Sequence, residues 1–155
     1  MVEKLLDAAR IIGWREKVSF PEWGVHGIEA KIDTGARTSA IHVEDVVRLK
    51  GDRVRFHLVT RRREPFKHVL VRADVVRVTK VRSSTGHTQT RYVVSTVVRL
   101  GSVRRRIELS LVRRERMLCR MLLGRTALDG FLIDPVRKHV QSRDENRRDG
   151  KKKSR

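Results

Sequence analysis

The sequence predicts a small all-β protein, because apolar and polar residues alternate along much of the chain and helix signals are few. Residues 53–58 (RVRFHL) and 107–111 (IELSL) show this alternation clearly. A period of two is typical of a strand with one buried face. Short strands at regular spacing, with one or two short helices, favour a small β-barrel or a sandwich.

Turn-forming residues divide these strands. Residues 75–82 and 87–98 are rich in Val, Thr and Tyr and flank Ser83-Ser84-Thr85-Gly86, which predicts a β-hairpin. A second tight turn is predicted at Leu100-Gly101-Ser102. The basic clusters Arg61-Arg62-Arg63 and Arg104-Arg105-Arg106 each fit a loop or a strand edge protected against pairing.

Two short helices are expected. Residues 3–10 form the first candidate, and Thr126-Ala127-Leu128-Asp129-Gly130 forms the second, with Gly130 ending it. No internal repeat is evident in the sequence. With 155 residues and 18.0 kDa, the chain fits one compact domain.

The charge is strongly positive, with 37 basic and 18 acidic residues giving +19. Residues 143–155 carry seven basic and three acidic residues and no apolar side chain, which predicts a basic disordered tail of charge +4. The remaining +15 lies on residues 1–142. Such a body suits an acidic partner, namely nucleic acid, the ribosome or an acidic peptide, although a solvated basic surface is an equal alternative.

Cys119 is the single cysteine, so an internal disulfide is excluded and a reducing compartment is favoured. No stretch approaches the roughly 20 apolar residues that span a bilayer, and the N-terminus lacks an export signal. We therefore expect a cytoplasmic protein without membrane partners.

One carboxylate stands where a strand is expected to end. Residues 25–32 (VHGIEAKI) lead directly into Asp33-Thr34-Gly35-Ala36. An acid at this position can be held by backbone amides, and the glycine permits a close backbone approach. An ordinary Asx turn is the alternative, because Asp, Thr and Gly are all common in turns.

A second segment supports the interpretation of Asp33 as a reactive carboxylate. Residues 121–125 (MLLGR) place two apolar residues before a glycine, and "TALDG" follows. Asp-Thr-Gly-Ala, a hairpin and this segment occur in the order found in retropepsin-like aspartic proteases, which the chain resembles over about residues 10–142. The strings "GWREKVSFPEWGVHGIEAKIDTGARTSAIH", "VRSSTGHTQTRYVV" and "IELSLVRRERMLCRMLLGRTALDGFLIDP" resemble the prokaryotic branch labelled putative ATP-dependent zinc protease, associated with the ribosomal-protein glutamate ligase.

The resemblance implies one retropepsin-like domain over residues 1–142, folded as a small closed β-barrel and paired in a two-fold homodimer. Peptide hydrolysis would use Asp33 from each subunit, because the chain has a single Asp-Thr-Gly. The hairpin Ser83, Ser84, Thr85 and Gly86 would form a flap over a peptide or protein substrate.

The resemblance also gives supporting roles to the neighbours of Asp33. Thr34 would bond across the two-fold axis, and Gly35 and Ala36 would complete the turn. Leu122, Leu123 and Gly124 would pack beneath this loop, and Arg125 would form a structural ion pair.

The zinc and ATP of the family label find no matching motif. The six histidines at positions 26, 42, 57, 68, 87 and 139 are scattered, without a His-Glu-x-x-His pattern. No G-x-x-x-x-G-K-[ST] phosphate loop occurs either. We therefore expect neither a metal nor another cofactor.

Arg37 differs from the residue at this position in the viral retropepsin-like proteases, which carry an acidic residue four positions after the catalytic Asp. A basic group beside the cleft favours acidic peptide substrates. The alternative to a protease is a non-catalytic basic module that contacts ribosome, RNA or the glutamate ligase, with Asp33 retained for structure. A regulator of that ligase acting by direct contact is a third hypothesis.

Overall fold

The protein is represented by a computed structural model that describes residues 10–60 and 67–141. Within these ranges it is nearly all strand, which confirms the predicted all-β class. The elements are β1 (Arg10–Phe20), β2 (Val25–Ile32), β3 (Ser39–Leu49), β4 (Arg53–Val59), β5 (His68–Arg82), β6 (Thr88–Leu100), β7 (Val103–Val112), β8 (Met121–Leu123) and β9 (Phe131–Lys138), with 3-10 helices at Pro21–Trp23 and Arg125–Ala127.

The nine strands form one sheet in the order β4-β5-β6-β7-β3-β8-β2-β1-β9. Additional pairings join β4 to β3, and β6 to β1. The short strand β8 runs parallel to β2 and antiparallel to β3, so it lies between the strands that enter and leave the Asp33 turn. This insertion positions the candidate site.

The core consists of the buried faces of these strands. The predicted alternation holds, since Val54, Phe56 and Leu58 are all buried. Trp23 stacks on Phe20 and meets Phe56 edge-on, with ring centroids 4.9 and 5.6 Å apart. Full burial of one large apolar side chain contributes about 1.5–3 kcal/mol, so this cluster is a major source of stability.

The predicted turns are present. Between β5 and β6, the amide of Ser83 donates to the carbonyl of His87 (2.8 Å) and that of Gly86 donates to Ser83 (2.9 Å). Gly101 adopts a φ of 60° between β6 and β7. Arg104–Arg106 is part of β7, so the loop alternative for this cluster was wrong.

The helix predictions have different outcomes. The candidate at 126–130 is a single 3-10 turn, Arg125–Ala127, followed by Gly130 with a φ of 78°. The candidate at 3–10 lies outside the described residues except for Arg10, which begins β1. Arg61–Arg63 and the tail 143–155 also lie outside them. No helix in the described ranges is long and apolar enough to cross a membrane.

A buried carboxylate fastens the end of the described chain to β1. Oε1 of Glu16 accepts hydrogen bonds from the amides of Gly13 (2.9 Å), Val140 (2.8 Å) and Gln141 (3.2 Å). Such bonds offset the cost of burying the charge. This role of Glu16 is not visible in the local sequence, because two of the three amides that it binds are 124 and 125 positions away.

Candidate active site

Asp33 lies immediately after β2 at the start of a tight turn. Its amide donates to the carbonyl of Leu123 (2.9 Å), and its Oδ1 accepts the amide of Gly35 (3.0 Å). The Asp33 side chain is partly buried, whereas Thr34 and Gly35 are exposed. The turn thus fixes the carboxylate while leaving the loop accessible. The same Asp-Gly hydrogen bond also fits the Asx turn considered from sequence.

The segment 121–125 lies beside this turn in the sheet. In the sheet, Ile32 of β2 pairs with Leu123 of β8, and Leu123 is buried. The amide of Gly124 donates to Oγ of Ser39, 3.1 Å away. A Cβ added at Gly124 would lie 2.6 Å from the carbonyl carbon and oxygen of Thr38, so only glycine fits here.

Arg125 joins the two segments through backbone carbonyls. Its Nη1 donates to Thr34 (3.0 Å) and Gly35 (3.1 Å), and its amide donates to Ala36 (2.8 Å). The contacts described for the guanidinium are these bonds to backbone carbonyls, and the structural ion pair that the resemblance implied stays a prediction. A charged donor shared by two adjacent carbonyls holds the exposed side of the turn in one conformation.

Replacing Arg125 by Met is expected to lower the free energy of unfolding by about 1.5 kcal/mol, because both guanidinium bonds to the turn are lost. Urea denaturation would measure this change. Arg113→Met is the matched control, since Arg113 binds only its loop neighbour Glu115 among the contacts described. Equal stability losses in the two variants would contradict the role of Arg125 in stabilising the Asp33 turn.

The predicted flap and Arg37 are not brought against Asp33 by any contact in the described structure. The tip Ser83–Gly86 is exposed, and Oγ of Ser83 bonds Oγ1 of Thr85 within the turn (2.8 Å). Arg37 is exposed, and its carbonyl accepts the amide of Thr126 (3.1 Å). Strand β5, which leads to the flap, shares a cavity with Arg37 through Arg77.

His42 has a structural role that its local sequence does not reveal. It is fully buried, its Nδ1 accepts the amide of Arg114 (3.0 Å), and its own amide donates to the carbonyl of Arg120 (2.8 Å). It therefore holds both ends of the segment 114–120 that leads into β8. Burial, and then the charge of Arg120, lower the pKa of His42. Its Nε2 lies 3.6 Å from Oε1 of Glu44.

The lowered pKa of His42 predicts acid sensitivity. The folded state favours the neutral imidazole, whose Nδ1 can accept the Arg114 amide, so this contribution to stability is complete above the unfolded pKa of about 6.5. It is lost as pH falls from there towards the lower folded pKa.

Asn is a suitable non-titrating replacement at His42, because its side-chain oxygen can accept the same amide. Urea midpoints of wild type and His42→Asn should be compared from pH 7.5 to pH 5, values that bracket the unfolded pKa. The difference in urea midpoint between wild type and His42→Asn should become smaller as the pH falls. A constant difference across that range would refute the coupling, because the other histidines are shared by both proteins.

Three of the other histidines lie near acids: His139 Nε2 lies 3.0 Å from Oε2 of Glu29, and the other two, on β4 and β5, face acids of β3. His57 Nδ1 lies 3.4 Å from Oδ2 of Asp45, and His68 Nδ1 lies 3.8 Å from Oε2 of Glu44. Among residues 10–60 and 67–141, no group of three or more His, Cys, Asp or Glu side chains is arranged to hold a metal ion.

Comparison with known proteins identifies the family. Residues 11–144 match the sequence profile of the RimB-like family, described as retropepsin-like aspartic endopeptidase RimB. The chain belongs to the RimB-like family. This membership confirms the resemblance drawn from the Asp33 and 121–125 motifs.

Two curated relatives carry a different name. A probable alpha-L-glutamate ligase of Desulfotalea psychrophila is 37% identical over 133 residues, covering 83% of this chain and 29% of the relative. Another protein of that name, from Shewanella pealeana, is 36% identical, with 81% and 28% covered. This RimB-like chain thus spans less than a third of the curated relatives that it matches.

A solved relative supports the fold. The crystal structure of a Legionella pneumophila protein with unknown function superposes with a TM-score of 0.69 at 27% identity. The match covers 85% of this RimB-like chain and 98% of the other. The all-β architecture is therefore shared across the whole of that protein.

Proposed function

We propose that this chain is an aspartic endopeptidase that acts as a homodimer of small closed barrels, with Asp33 of each copy in the active site. The observation that carries this proposal is the Asp33 carboxylate, which accepts the Gly35 amide on a turn bonded to β8 and to Arg125. Membership of a retropepsin-like family adds to this support. The proposed reaction uses neither a metal nor ATP.

The need for a second copy follows from the chemistry. Peptide hydrolysis by carboxylates requires two acids close enough to share one proton, because two like charges at short range do not both ionise readily. The sequence supplies one Asp-Thr-Gly per chain. The exposed Thr34 and Gly35 give the turn a face on which a two-fold partner can sit, with Thr34 bonding across the axis.

In the proposed reaction, the ionised carboxylate takes a proton from water while the water oxygen bonds to the peptide carbonyl carbon. The protonated partner carboxylic acid donates its proton to the carbonyl oxygen. Collapse of the tetrahedral intermediate then breaks the C–N bond. The carboxyl group that took the water proton gives it to the nitrogen, and the other carboxylate takes a hydroxyl proton from the intermediate, which restores the shared proton. The hairpin 83–86 would close over the substrate during these steps and exclude bulk water beyond the reacting molecule.

The test compares wild type with Asp33→Asn. Both proteins would be incubated with a diverse peptide mixture from acidic to neutral pH, and new termini would be identified by mass spectrometry. The oligomeric state of each protein would be measured alongside. Cleavage sites found only with the wild-type dimer would support the proposal, and no cleavage by a wild-type dimer would contradict it.

A second candidate function rests on the names of the curated relatives. Because a segment of proteins named probable alpha-L-glutamate ligase resembles this chain, a non-catalytic role in contact with such a ligase, or with ribosome or RNA through the basic body, is the alternative. It predicts that Asp33→Asn leaves the chain's effect on ligase activity unchanged. An effect that disappears with Asp33→Asn would favour proteolysis. Either function fits the cytoplasm.

A further inference from the structure

The hairpin arm, which we define as residues 77–92 of β5, β6 and their turn, carries basic side chains and no acidic ones. The sequence contains no Asp or Glu anywhere in residues 75–107. Lys80 and Arg82 are both exposed, and neither forms an ion pair within the described parts of the chain. Cations without acidic neighbours keep their full charge available to a partner, so this arm suits a polyanion.

One face of the arm places each of these cations opposite a hydroxyl group. The β5–β6 register gives three cross-strand pairs on this face, namely Val78–Tyr92, Lys80–Thr90 and Arg82–Thr88. We call these six side chains the cation–hydroxyl face. Successive pairs are about 7 Å apart, which is close to the step between phosphates in an extended single strand of nucleic acid. Basic and hydroxyl side chains both donate hydrogen bonds to phosphate oxygens in nucleic-acid complexes.

A cavity of about 450 Å³ between β3, β6 and the end of β7 adjoins this face. Tyr92 and Thr90 belong to its lining, so the cavity and the cation–hydroxyl face are continuous. Apolar and basic side chains line the rest, among them Val43, Leu111, Arg113 and Arg114. The acid in this lining, Asp45, lies 3.4 Å from Nδ1 of His57. The volume is in the range of small-molecule sites, so one nucleobase fits inside.

Single-stranded RNA matches this combination better than other polyanions do. A polynucleotide carries a flat base and an anion on every unit, and the arm offers an aromatic ring in a cavity next to exposed cations. Stacking on a side-chain ring requires a base that is not paired in a duplex, and the unpaired polynucleotide of a cell is chiefly RNA. An acidic protein would satisfy the cations but supplies no base for the Tyr92 ring.

We propose that the cation–hydroxyl face and the adjoining cavity bind single-stranded RNA, with Tyr92 stacking on one base and Lys80 and Arg82 contacting successive phosphates. None of these three side chains has a contact with the Asp33 turn among those described. The proposal therefore goes beyond the proposed peptidase and does not rest on it. It gives a specific location to the RNA contact that the second candidate function leaves open.

The test measures RNA binding by the full chain, without any cleavage assay. A fluorescein-labelled twelve-nucleotide RNA of mixed sequence would be titrated with wild type at several salt concentrations, and fluorescence anisotropy would give the affinities. The single strand should bind at least about fivefold tighter than the same RNA in a duplex, because only the single strand offers an unstacked base. The logarithm of the affinity should fall linearly with the logarithm of salt concentration, as counterion release predicts.

Two substitutions test the phosphate contacts. Lys80→Gln and Arg82→Gln should each reduce the steepness of this salt dependence by about 0.7, because each removes one contact between a cation and a single strand. Lys50→Gln is the matched control, since Lys50 is an exposed lysine in the turn between β3 and β4 and lies outside both the arm and the cavity. It should leave the salt dependence nearly unchanged.

A second pair of substitutions tests the stacked base. Tyr92→Leu should weaken RNA binding about tenfold, because the aliphatic side chain offers no ring for stacking. Tyr92→Phe keeps the ring and should stay within about twofold of wild type. Tyr92 packs partly against the core, so Tyr92→Phe and Lys80→Gln keep the test informative even if Tyr92→Leu folds poorly.

Several results would overturn this RNA site. Equal changes in salt dependence for Lys50→Gln and Lys80→Gln would show that only the total charge of the chain matters. Wild-type affinity in a folded Tyr92→Leu variant would exclude the stacked base, and equal affinity for the duplex would exclude a preference for single strands. An acidic peptide of equal charge that displaces the labelled RNA as well as unlabelled RNA does would assign the face to an acidic protein partner instead.

Discussion

Asp33→Asn is expected to reduce peptide cleavage by about 10³-fold or more while leaving the fold intact, because positioned acid and base groups contribute on the order of 10²–10⁴ each. Asn preserves the size of the side chain, and its oxygen can still accept the Gly35 amide that Oδ1 accepts now. Turnover of one cleaved peptide, followed with both proteins, gives the ratio. Asp74→Asn is the control, since Asp74 is exposed and pairs only with Arg53 among the contacts described.

The same substitution tests whether two copies share one site. If wild-type and Asp33→Asn subunits exchange freely, activity should follow the square of the wild-type fraction, so an equal mixture retains about one quarter of the wild-type rate. A linear decline to about one half would mean that each chain carries a complete site, which would contradict the shared dyad. Mixing wild type with Asp74→Asn should leave the rate unchanged.

Local sequence pattern was sufficient for the strands and turns around the site. The segment 25–32 was predicted as a strand ending at Asp33, and β2 spans those residues in the structure. The hairpin at Ser83–Gly86 and the turn at Gly101 were also predicted where they occur. These features depend on side-chain alternation and on residues that tolerate positive φ, both of which are visible within a few positions.

Long-range pairing could not be predicted in the same way. The three residues of β8 are too few to show a period, and their place between β2 and β3 depends on contacts about 80 to 90 residues apart in sequence. The roles of His42 and Glu16 have the same origin, since each binds backbone groups far along the chain. Only the family resemblance indicated that residues 121–125 belong with Asp33.

The candidate site therefore depends on the close approach of two distant segments. Asp33 is fixed by the carbonyl of Leu123, and Gly124 and Arg125 hold the residues that follow it. A change that separates these segments should affect stability and catalysis together, even when it leaves the carboxylate untouched. Gly124 is the position where the contact is tightest.

Gly124→Ala is expected to cost about 3 kcal/mol of stability and most of the proposed activity. Its φ of −88° suits any residue, so the backbone itself imposes no penalty. The added Cβ, however, would lie 2.6 Å from the carbonyl carbon and oxygen and 2.9 Å from the amide nitrogen of Thr38. These are backbone atoms of the strand entry after the Asp33 turn, and they cannot move aside as a flexible side chain can.

Gly27→Ala is the control for Gly124→Ala, because there the backbone conformation is unfavourable but the added Cβ has free space. Gly27 has a φ of 71°, and nothing lies within 4 Å of an added Cβ. Its cost should be about 1 kcal/mol and come from the backbone conformation alone, with cleavage by the folded protein unchanged. Urea denaturation and peptide turnover would be measured for both variants. If Gly124→Ala were as mild as Gly27→Ala in both assays, β8 would not hold the Asp33 turn, and support for Asp33 would have to come from the turn's own hydrogen bond to Gly35.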